Sequence, residues 1–342
     1  MNLKQFAELV GVSQTTVSRA LNGHPEVSAR TRARVAEAAR RHGYAPNAHA
    51  RFLAKGRAAA LGCVLPMSGR NEIVNPIYTD FLAGLGEECA HRKFEINLCA
   101  VQDHEQETAY RQLKSKGLVG GVVVQFPRHD DPRPALLEKI GLPFVVHGRV
   151  SRHDVPYSWV DVNNQRAFHR ATAFLLQLGH RRIALLNGDD SLDFATRRRD
   201  GWLQALTEAG VSPQPELALS DEMTTAYGYR TTLRLLAQPE PPTALLCSST
   251  VIAHGVKQAL EEAGLRLGAD MSVLCFDDDL SYLRNPGAVP IFTAMRSPVR
   301  EAGRRIAAML IDKIETGDPT PRQELMEADL VVGRSTAPPW AG

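Results

Sequence analysis

Hydrophobic positions in the first 45 residues repeat at helical spacing and predict three short helices. The first helix carries its apolar side chains on one face: Leu3, Phe6, Ala7 and Val10. Gly11 can end this helix in a left-handed turn, and Ser13 can cap the second helix. A third helix begins near Ser28 and runs to about Arg41, because Pro46 cannot continue it. The segment is therefore predicted to be all-α.

The second predicted helix separates apolar and polar side chains onto opposite faces. At the helical period, the face that packs on the other helices carries Val17, Ala20 and Leu21. The outward face carries Thr15, Ser18, Arg19 and Asn22, and Gln14 lies in the exposed first turn. Short polar groups with one arginine suit a helix that enters the major groove of DNA. An ordinary solvated helix face is the alternative that the pattern leaves open.

Two kinds of contact with DNA are expected from this helix. Base edges would be read by Gln14, Thr15 and Arg19, the arginine matching the two acceptors of guanine. Phosphates, which position without specifying, would be contacted by Ser13, Ser18 and Asn22. The charge distribution agrees, because residues 1–60 carry ten basic side chains against three acidic ones, a net charge of +7. The remaining chain carries 30 basic and 35 acidic residues, a net charge of −5.

The stretch APNAHARFLAKG, residues 45–56, predicts a helix of about eight residues that begins after Pro46 with Asn47 as its cap. Isolated helices become marginal at ~12–15 residues, so we expect this one to be disordered alone and to form on docking. Leu53 is then an exposed apolar side chain on a basic segment. It is either a linker residue or a wedge between base pairs in the minor groove.

Three motifs lie in this region: V-S-x-x-T-V-S-R-x-L-N-G, V-S-x-x-T-R-x-R-V and G-Y-x-P-N-x-x-A-R-x-L. Together they resemble the DNA-binding head and hinge of the LacI/GalR family of transcriptional regulators. The resemblance implies a helix-turn-helix domain at residues 1–45 and a hinge helix or linker at residues 46–57. It also implies that Leu53 is the lever in the minor groove, with Ala50 beside it. The candidate DNA-binding residues are Ser13, Gln14, Thr15, Thr16, Ser18, Arg19, Asn22, Ala50 and Leu53.

Beyond residue 57, apolar strand-like runs alternate with helical ones, which predicts parallel, doubly wound sheets. One set of runs contains ALGCVL, FEINLC, VGGVVVQ and PFVVH, and a second set contains RIALLN, TALLC and SVLCF. Two sets predict two lobes, a near lobe at about 58–158 and 290–317 and a far lobe at about 159–289 and 318–342. Ligands of such folds bind outside the carboxyl ends of the strands, here in the cleft between the lobes.

Four stretches of this region are landmarks: NPIYTDFLAGL, LGHRRIALLNG, RRDGWLQALTEAG and CFDDD. They resemble the effector-binding and dimerisation core of the same family, which is itself similar to periplasmic sugar-binding proteins. The predicted fold class is therefore an N-terminal all-α helix-turn-helix headpiece plus an α/β core of two doubly wound parallel-sheet lobes. The strings VVHGR, YSWVDVNN and SDEMT resemble the branch of the family that controls α-glucoside utilisation.

The resemblance also indicates where a small polar effector would bind. Arg198 stands three residues before Gly201, where the family places an arginine that forks onto ligand hydroxyls or a carboxylate. Asp277 ends a predicted strand, where the family uses an aspartate to accept hydrogen bonds from hydroxyls. A buried pair between Arg198 and Asp277, with no ligand role, is the structural alternative.

Five further residues complete the candidate effector site: Asn75, His147, Arg149, Met223 and Ser249. Asn75 begins a helix whose terminal donors would face the cleft. His147 is as easily a surface or supporting residue as a ligand contact, and Met223 is either an apolar wall for the ligand or a core residue. Ser249 and Thr250 stand where the family usually has Asn-Asp, so bidentate recognition of vicinal hydroxyls is lost there.

Composition limits the class of protein. Hydrophobic residues make up 44%, charged residues 23%, and the mean hydropathy is −0.22, which is typical of a globular protein. No apolar run approaches the ~18 residues of a membrane span, and the N-terminus lacks the pattern of a secretory signal, so a cytoplasmic protein is predicted. The five scattered cysteines form no CxxC pair and are interpreted as buried thiols. No cofactor or metal is predicted.

The sequence therefore predicts a homodimeric transcriptional regulator that represses carbohydrate-utilisation genes from a pseudo-palindromic operator, under the control of a sugar-like effector. A corepressor-dependent regulator of a non-sugar metabolite is the first alternative. A metal-dependent enzyme built on Asp277, Asp278 and Asp279 is disfavoured, because successive strand residues point to opposite faces. No HExxH, GxSxG or phosphate loop is present either. A transport solute receptor would have no use for the basic head.

Overall fold

The computed structural model describes residues 3–21, 24–44, 58–67, 75–151 and 155–339. The chain divides into two units, Met1–Ala59 and Ala60–Gly342. The described residues of the first unit form three helices, α1 (Leu3–Val10), α2 (Gln14–Leu21) and α3 (Ala29–Arg41). These are the helices that the hydrophobic spacing predicts.

The apolar faces of the three helices meet in a small core. Its buried members are Phe6, Ala7, Val17, Ala20, Val27, Val35 and Ala39. Ser13 and Ser28 each accept a hydrogen bond from the backbone N–H three residues further on, at 3.0 and 3.2 Å, and so cap α2 and α3. Gly11, with a φ of +70°, makes the left-handed turn that ends α1. Local sequence signals thus set the end of α1 and the starts of α2 and α3.

The second unit alternates strands and helices. Its first half contains β1 (Ala60–Pro66), α4 (Pro76–Arg92), β2 (Glu95–Val101), α5 (Gln106–Ser115), β3 (Gly121–Val124), α6 (Arg133–Ile140), β4 (Phe144–His147) and β5 (Trp159–Val162). Its second half contains α7 (Asn164–Gln177), β6 (Ile183–Asn187), α8 (Asp193–Glu208), β7 (Ala218–Ser220), α9 (Thr225–Leu236), β8 (Ala244–Cys247), α10 (Thr250–Glu262), β9 (Ser272–Asp277), β10 (Thr293–Arg296), α11 (Val299–Thr316), β11 (Gln323–Met326) and β12 (Asp329–Val331).

These strands form two six-stranded sheets. The first lobe is built on the order β11-β5-β4-β3-β1-β2, and the second lobe on the order β12-β10-β9-β8-β6-β7. Neighbouring strands run parallel, except for the antiparallel pair of β10 and β12. The predicted fold class is confirmed: a helical head and two parallel-sheet α/β lobes. None of the described helices is long and apolar enough to cross a bilayer.

The predicted lobe boundaries need three corrections. β5, at 159–162, belongs to the first lobe, because it pairs with β4 and β11. β10, at 293–296, belongs to the second lobe, and β11, at 323–326, returns to the first. The physical reason is that a strand joins a sheet through backbone ladders with distant strands, which its own apolar pattern does not reveal. The described chain therefore passes between the lobes after β5, after β10 and after β11.

The last long helix, α11, lies on the first lobe against α4. The two helices approach closely at Gly84 and Gly303, where a Cβ on Gly84 would stand 1.9 Å from the carbonyl oxygen of Arg300. Only glycine permits this distance. α11 therefore carries the chain back to the first lobe, as the sequence predicts.

Candidate functional site

In the first unit, α2 presents its predicted polar face to solvent. Val17 and Ala20 are buried. The exposed candidates are Ser13, Gln14, Thr15, Ser18 and Arg19, and Thr16 is half-buried. The hydroxyls of Ser13 and Thr16 lie 2.8 Å apart, so both are engaged at the start of the helix. The remaining candidates, Asn22, Ala50 and Leu53, lie outside the described residues.

The charge of this unit is concentrated on exposed arginines. Arg19 has its Nε 4.0 Å from Oε2 of Glu26, and both side chains are more than half exposed. An exposed pair at this distance contributes little, so Arg19 can exchange Glu26 for a base edge or a phosphate. α3 carries five arginines against one glutamate: Arg30, Arg32, Arg34, Arg40 and Arg41 against Glu37. This arrangement can bind a polyanion.

In the second unit, the candidate effector residues lie where strands of both lobes end. β4 ends at His147, β9 ends at Asp277, and Ser249 follows β8. Arg198 lies in the second turn of α8, shortly after β6 ends. Since the carboxyl ends of parallel strands share one edge of a sheet, each lobe brings its own candidates to one edge. Hydrogen bonds from Ser151 to Asp193 and from Ser281 to Asp80 join the two lobes, and the predicted cleft lies between these edges.

Arg198 is the buried cation of this cleft. Its side chain is 7% exposed and lies over three rings at 5.1, 4.7 and 4.3 Å, those of Phe168, Phe194 and Phe276. Its Nε donates to Oδ1 of Asn164 at 2.7 Å, and its Nη1 donates to the carbonyl of Ser248 at 2.6 Å. Burial lowers the pKa of Arg198 to about 10, while nearby Asp278 and Asp161 oppose that shift. The guanidinium remains charged and rigidly oriented.

The two aspartates at the end of β9 have different partners. Asp277 accepts hydrogen bonds from Nε and Nη2 of Arg296, at 3.2 and 3.1 Å, so it does not form the buried pair with Arg198 considered above. Asp278 is 8% exposed, and the charge of Arg198 acts on its carboxyl group without a direct hydrogen bond between them. Burial raises the pKa of Asp278 to about 7, Arg198 opposes the shift, and Asp277 and Asp80 add to it. Strand alternation could have identified Asp278 from the sequence.

Helix capping accounts for two other candidates. Oδ1 of Asn75 accepts from the backbone N–H of Ile77 at 3.0 Å and caps α4. Oγ of Ser249, which is fully buried, accepts from Ile252 at 3.3 Å and caps α10. Thr250 is also buried and donates to the carbonyl of Phe276 at 3.2 Å. The two hydroxyls that replace the family's Asn-Asp are therefore engaged inside the second lobe.

The near side of the cleft is formed by the end of β4. His147 stacks on Phe81, with ring centroids 4.5 Å apart, and burial lowers its pKa to about 4, so the imidazole is neutral. Arg149 lies over the ring of Trp159 and donates from Nε to Oδ2 of Asp161 at 2.7 Å. Burial raises the pKa of Asp161, and Arg149 opposes that shift. Both predicted residues thus lie at this edge, and Arg149 is already paired.

Met223 is half-buried and packs against the apolar core of the second lobe. A Cβ on Gly188, just after β6, would lie 3.5 Å from its Cγ. The side chain therefore joins the core and leaves part of its surface beside the end of β6, and its role as a wall for the ligand stays a prediction. A thioether here offers a flexible apolar surface.

Gln125 and Phe126, directly after β3, were not identified from the sequence. Gln125 is 7% exposed, and its Nε2 has no hydrogen-bond partner among the described residues. Phe126 has a φ of +50°, which is unusual for a residue with a side chain. Nη2 of Arg133 donates to both backbone carbonyls, at 2.9 and 3.1 Å, and so holds this turn in place. A buried amide without a partner at a cleft is a candidate ligand contact.

Several hydrogen bonds join the lobes, and two groups of them depend on a buried aspartate. The buried carboxylate of Asp193 at the start of α8 accepts from the backbone N–H of Ser151 at 3.0 Å and lies 3.3 Å from Nδ1 of His129. Asp80 of α4 accepts from the backbone N–H and the hydroxyl of Ser281, at 2.7 and 2.6 Å. We call these the Asp193 contact and the Asp80 contact. Nowhere in the described part of the chain do three or more His, Cys, Asp or Glu side chains cluster to hold a metal.

Comparisons with known proteins agree with this architecture. The family model "Bacterial regulatory proteins, lacI family" matches residues 2–47, and "Periplasmic binding protein-like domain" matches residues 172–336. The HTH-type transcriptional regulator AglR of Rhizobium meliloti (strain 1021) is 45% identical over 339 residues, covering 99% of this chain and 95% of AglR.

Two solved structures extend the comparison. The complex of the transcriptional regulator CelR with cellobiose has 27% identity and a TM-score of 0.72, covering 98% of this chain and 99% of that chain. The Lac repressor dimer bound to operator and an anti-inducer has 26% identity and a TM-score of 0.78, with the same coverage. This chain therefore belongs to the LacI family of bacterial regulatory proteins. It is a transcriptional regulator with a helix-turn-helix head and a periplasmic-binding-protein-like core.

Proposed function

We propose that this chain is a homodimeric repressor of carbohydrate-utilisation genes, and that a sugar bound between the lobes controls its affinity for the operator. The observation that carries the proposal is the buried guanidinium of Arg198, oriented by two fixed acceptors and within electrostatic range of the buried carboxyl group of Asp278. Such a pair of groups donates to and accepts from hydroxyls in one place. The cellobiose complex of CelR, which has the same fold, supports a sugar ligand.

The charges around Arg198 favour a neutral, hydroxyl-rich effector over an anionic one. Asp278 and Asp161 both act on Arg198, and Asp80 lies near Asp278. An anion would meet these carboxyl groups where water is scarce and repulsion is strong. Hydroxyls can instead donate to the carboxyl groups, accept from Arg198 and accept from Nε2 of Gln125. This argument favours a sugar over an acidic metabolite.

An α-linked glucoside is the effector class we propose. The similarity to AglR over the whole chain and the resemblance of three cleft-region strings to the α-glucoside branch both support it. Asn75, His147, Arg149, Ser249 and Asp277 stay in the proposed site as supporting residues, because their side chains already have partners there. Met223 supplies an apolar wall for one face of the sugar ring.

The test begins with an operator selected from random duplexes by the purified protein. The complex is then titrated with maltose, sucrose and trehalose, and with β-linked cellobiose. We expect at least one α-linked sugar to change operator affinity by about tenfold or more, which also shows whether sugar releases or strengthens DNA binding. Lack of preference for any duplex over random competitor would overturn the proposal.

Arg198→Ala is expected to abolish the response to sugar while leaving sugar-free operator affinity unchanged. Arg199→Ala is the matched control, because Arg199 is partly exposed and its Nη1 pairs with the exposed Asp190 at 3.2 Å. We expect this control to respond as the wild type does. An unchanged response of Arg198→Ala at the same sugar concentrations would show that the effector binds elsewhere.

At the operator, we propose that Gln14, Thr15 and Arg19 of each protomer contact base edges. The phosphate and minor-groove contacts are proposed for Ser13, Thr16, Ser18, Asn22, Ala50 and Leu53. As a bacterial DNA-binding regulator the protein acts in the cytoplasm. We also propose that it has no enzymatic activity, so that each bound sugar is recovered unchanged after prolonged incubation.

A further inference from the structure

Asn164 lies where the chain first passes between the lobes. β5 of the first lobe ends at Val162 and α7 of the second lobe begins at Asn164, so only Asn163 separates them. The side chain of Asn164 is 3% exposed. A buried amide has to satisfy its two N–H donors and its oxygen within the protein.

The amide of Asn164 connects a carboxylate of the first lobe to the cation of the second. Its Nδ2 donates to Oδ1 of Asp161 at 3.3 Å and to the carbonyl of Val162 at 3.0 Å. Its Oδ1 accepts from Nε of Arg198 at 2.7 Å. On its other side, Asp161 accepts from Arg149 at 2.7 Å. The bonds run without a break from Arg149 in the first lobe to Arg198 in the second.

The chemistry at the two ends fixes the orientation of this amide. Its NH2 group faces a carboxylate and its oxygen faces a guanidinium, and both hydrogen bonds are strengthened by charge. No aliphatic side chain offers either contact, and an aspartate would place two carboxylates against each other. Because Asp161 is part of β5, a displacement of β5 relative to α7 changes the anchor that holds Arg198.

We propose that Asn164 is a positioning residue that couples the arrangement of the lobes to the direction of Arg198. A sugar held by Arg198 acts back on β5 through the same amide, since coupling between two sites is reciprocal. The inference rests on the proposed function of the cleft, in which Arg198 binds the effector. It adds a residue that touches no effector and still determines how tightly the effector binds.

The first test needs no sugar. The Nε–H of Arg198 gives a nitrogen–proton NMR signal, assigned by its absence in Arg198→Lys, and its hydrogen bond should protect it from exchange with solvent. We expect Asn164→Ala to accelerate this exchange by tenfold or more. Asn163→Ala is the matched control, because Asn163 caps α7 through the backbone N–H of Arg166 at 3.2 Å and does not contact Arg198. The control should keep the protected signal.

The second test measures affinity for maltose, sucrose and trehalose by calorimetry. We expect Asn164→Ala to weaken binding by about tenfold or more, as loss of a hydrogen bond to a charged group does, and Asn163→Ala to bind within threefold of the wild type. Asn164→Asp should also weaken binding, because it places a carboxylate 3.3 Å from that of Asp161. Adding Asp161→Asn restores one donor and one acceptor, and should recover most of the affinity.

The two tests separate this inference from the proposed function. If the wild type binds none of the sugars but its Arg198 signal depends on Asn164, the sugar proposal fails and the positioning role stands. If a sugar binds equally well to wild type and Asn164→Ala, the positioning role is overturned and the sugar proposal stands. Should Asn164→Ala fail to fold, the pair Asn164→Asp and Asp161→Asn/Asn164→Asp decides, and failure of the double variant to recover affinity overturns the inference.

Discussion

At the scale of single residues, Asp278 is a group of the proposed binding site whose burial lowers the stability of the protein. Burial is the main cause that opposes ionisation of its carboxyl group, Arg198 acts in the opposite direction, and the carboxyl groups of Asp277 and Asp80 add to the effect of burial. The result is a pKa of about 7, well above the ordinary value of 3.8. Near neutral pH the group is therefore divided between a form that donates a hydrogen bond and a form that only accepts.

Asp278→Asn should stabilise the protein at alkaline pH. Between about pH 4 and pH 7 the unfolded chain releases a proton that folded Asp278 retains, so this group lowers the free energy of unfolding as pH rises through that window. The loss is complete above the folded pKa of about 7. We expect the variant to gain about 2–4 kcal/mol over the wild type at pH 8 and little at pH 4.5. Urea unfolding of both proteins at the two pH values measures this.

Asp277→Asn is the contrasting variant. It removes the charge that pairs with Arg296 and should destabilise the protein at pH 8. A gain for Asp278→Asn of equal size at pH 4.5 and pH 8 would contradict the assigned titration. Between these pH values the gain changes only if folded Asp278 retains a proton that the unfolded chain has released.

At the scale of elements, the sequence predicts those features whose causes lie within a few neighbouring residues, and it does not predict those that depend on distant residues. The head helices follow from caps and spacing within a few residues, such as Ser13, Ser28 and Gly11. Which of the two sheets each of β5, β10 and β11 joins depends on ladders with distant strands, so the predicted lobe boundaries were wrong there. Asn164 was missed for the same reason: its partner Arg198 is 34 residues away, and no local pattern indicates the contact.

The element that specifies the operator is predicted to be α2, and Arg19→Ala tests it. If Arg19 contacts guanine through two hydrogen bonds, its loss should cost about 1–3 kcal/mol of operator affinity and relax the preference at one base pair. Affinities for the operator and for its single-base variants, measured at one fixed salt concentration, give the result.

Arg30→Ala provides the comparison for that experiment. Arg30 is an exposed arginine of α3, outside the predicted reading face, and its loss should weaken binding to all duplexes by a similar factor. If Arg19→Ala also weakens all duplexes equally and keeps its base preference at every position, then Arg19 is a phosphate contact and the base-reading role assigned to it is wrong.

At the scale of the whole molecule, a signal from the effector to the operator requires two arrangements of the lobes that differ in free energy by a few kcal/mol. The Asp193 contact and the Asp80 contact both stabilise the arrangement of the lobes in this structure. Both use buried carboxylates that accept from the opposite lobe. Removal of either carboxylate should therefore shift the balance between the two arrangements of the lobes, although neither carboxylate is proposed to contact the effector.

Of these two contacts, the Asp193 contact is the better one to test, and Asp193→Ala removes it. The carboxylate is 1% exposed and accepts from the backbone N–H of Ser151 at 3.0 Å and from Nε of Arg197 at 2.5 Å. Its removal leaves both donors without this acceptor, which should destabilise the joined arrangement by about 1–3 kcal/mol. Hydrogen exchange at residues 148–151 should become faster, and affinity for sugar should fall, because a binding-competent arrangement that is less populated binds more weakly.

The control for that variant is Asp190→Ala, three residues earlier in the chain. Asp190 is half exposed and pairs only with Arg199, within its own lobe, so exchange at residues 148–151 should not change. Ser151→Ala gives an independent check from the other lobe, since it removes the hydroxyl that bonds to Asp193 and keeps the backbone donor. Its effect should have the same sign as that of Asp193→Ala and a smaller size. If Asp193→Ala behaved like Asp190→Ala in exchange and in sugar affinity, the lobes would be held together by their other contacts, and the Asp193 contact would have no part in the response.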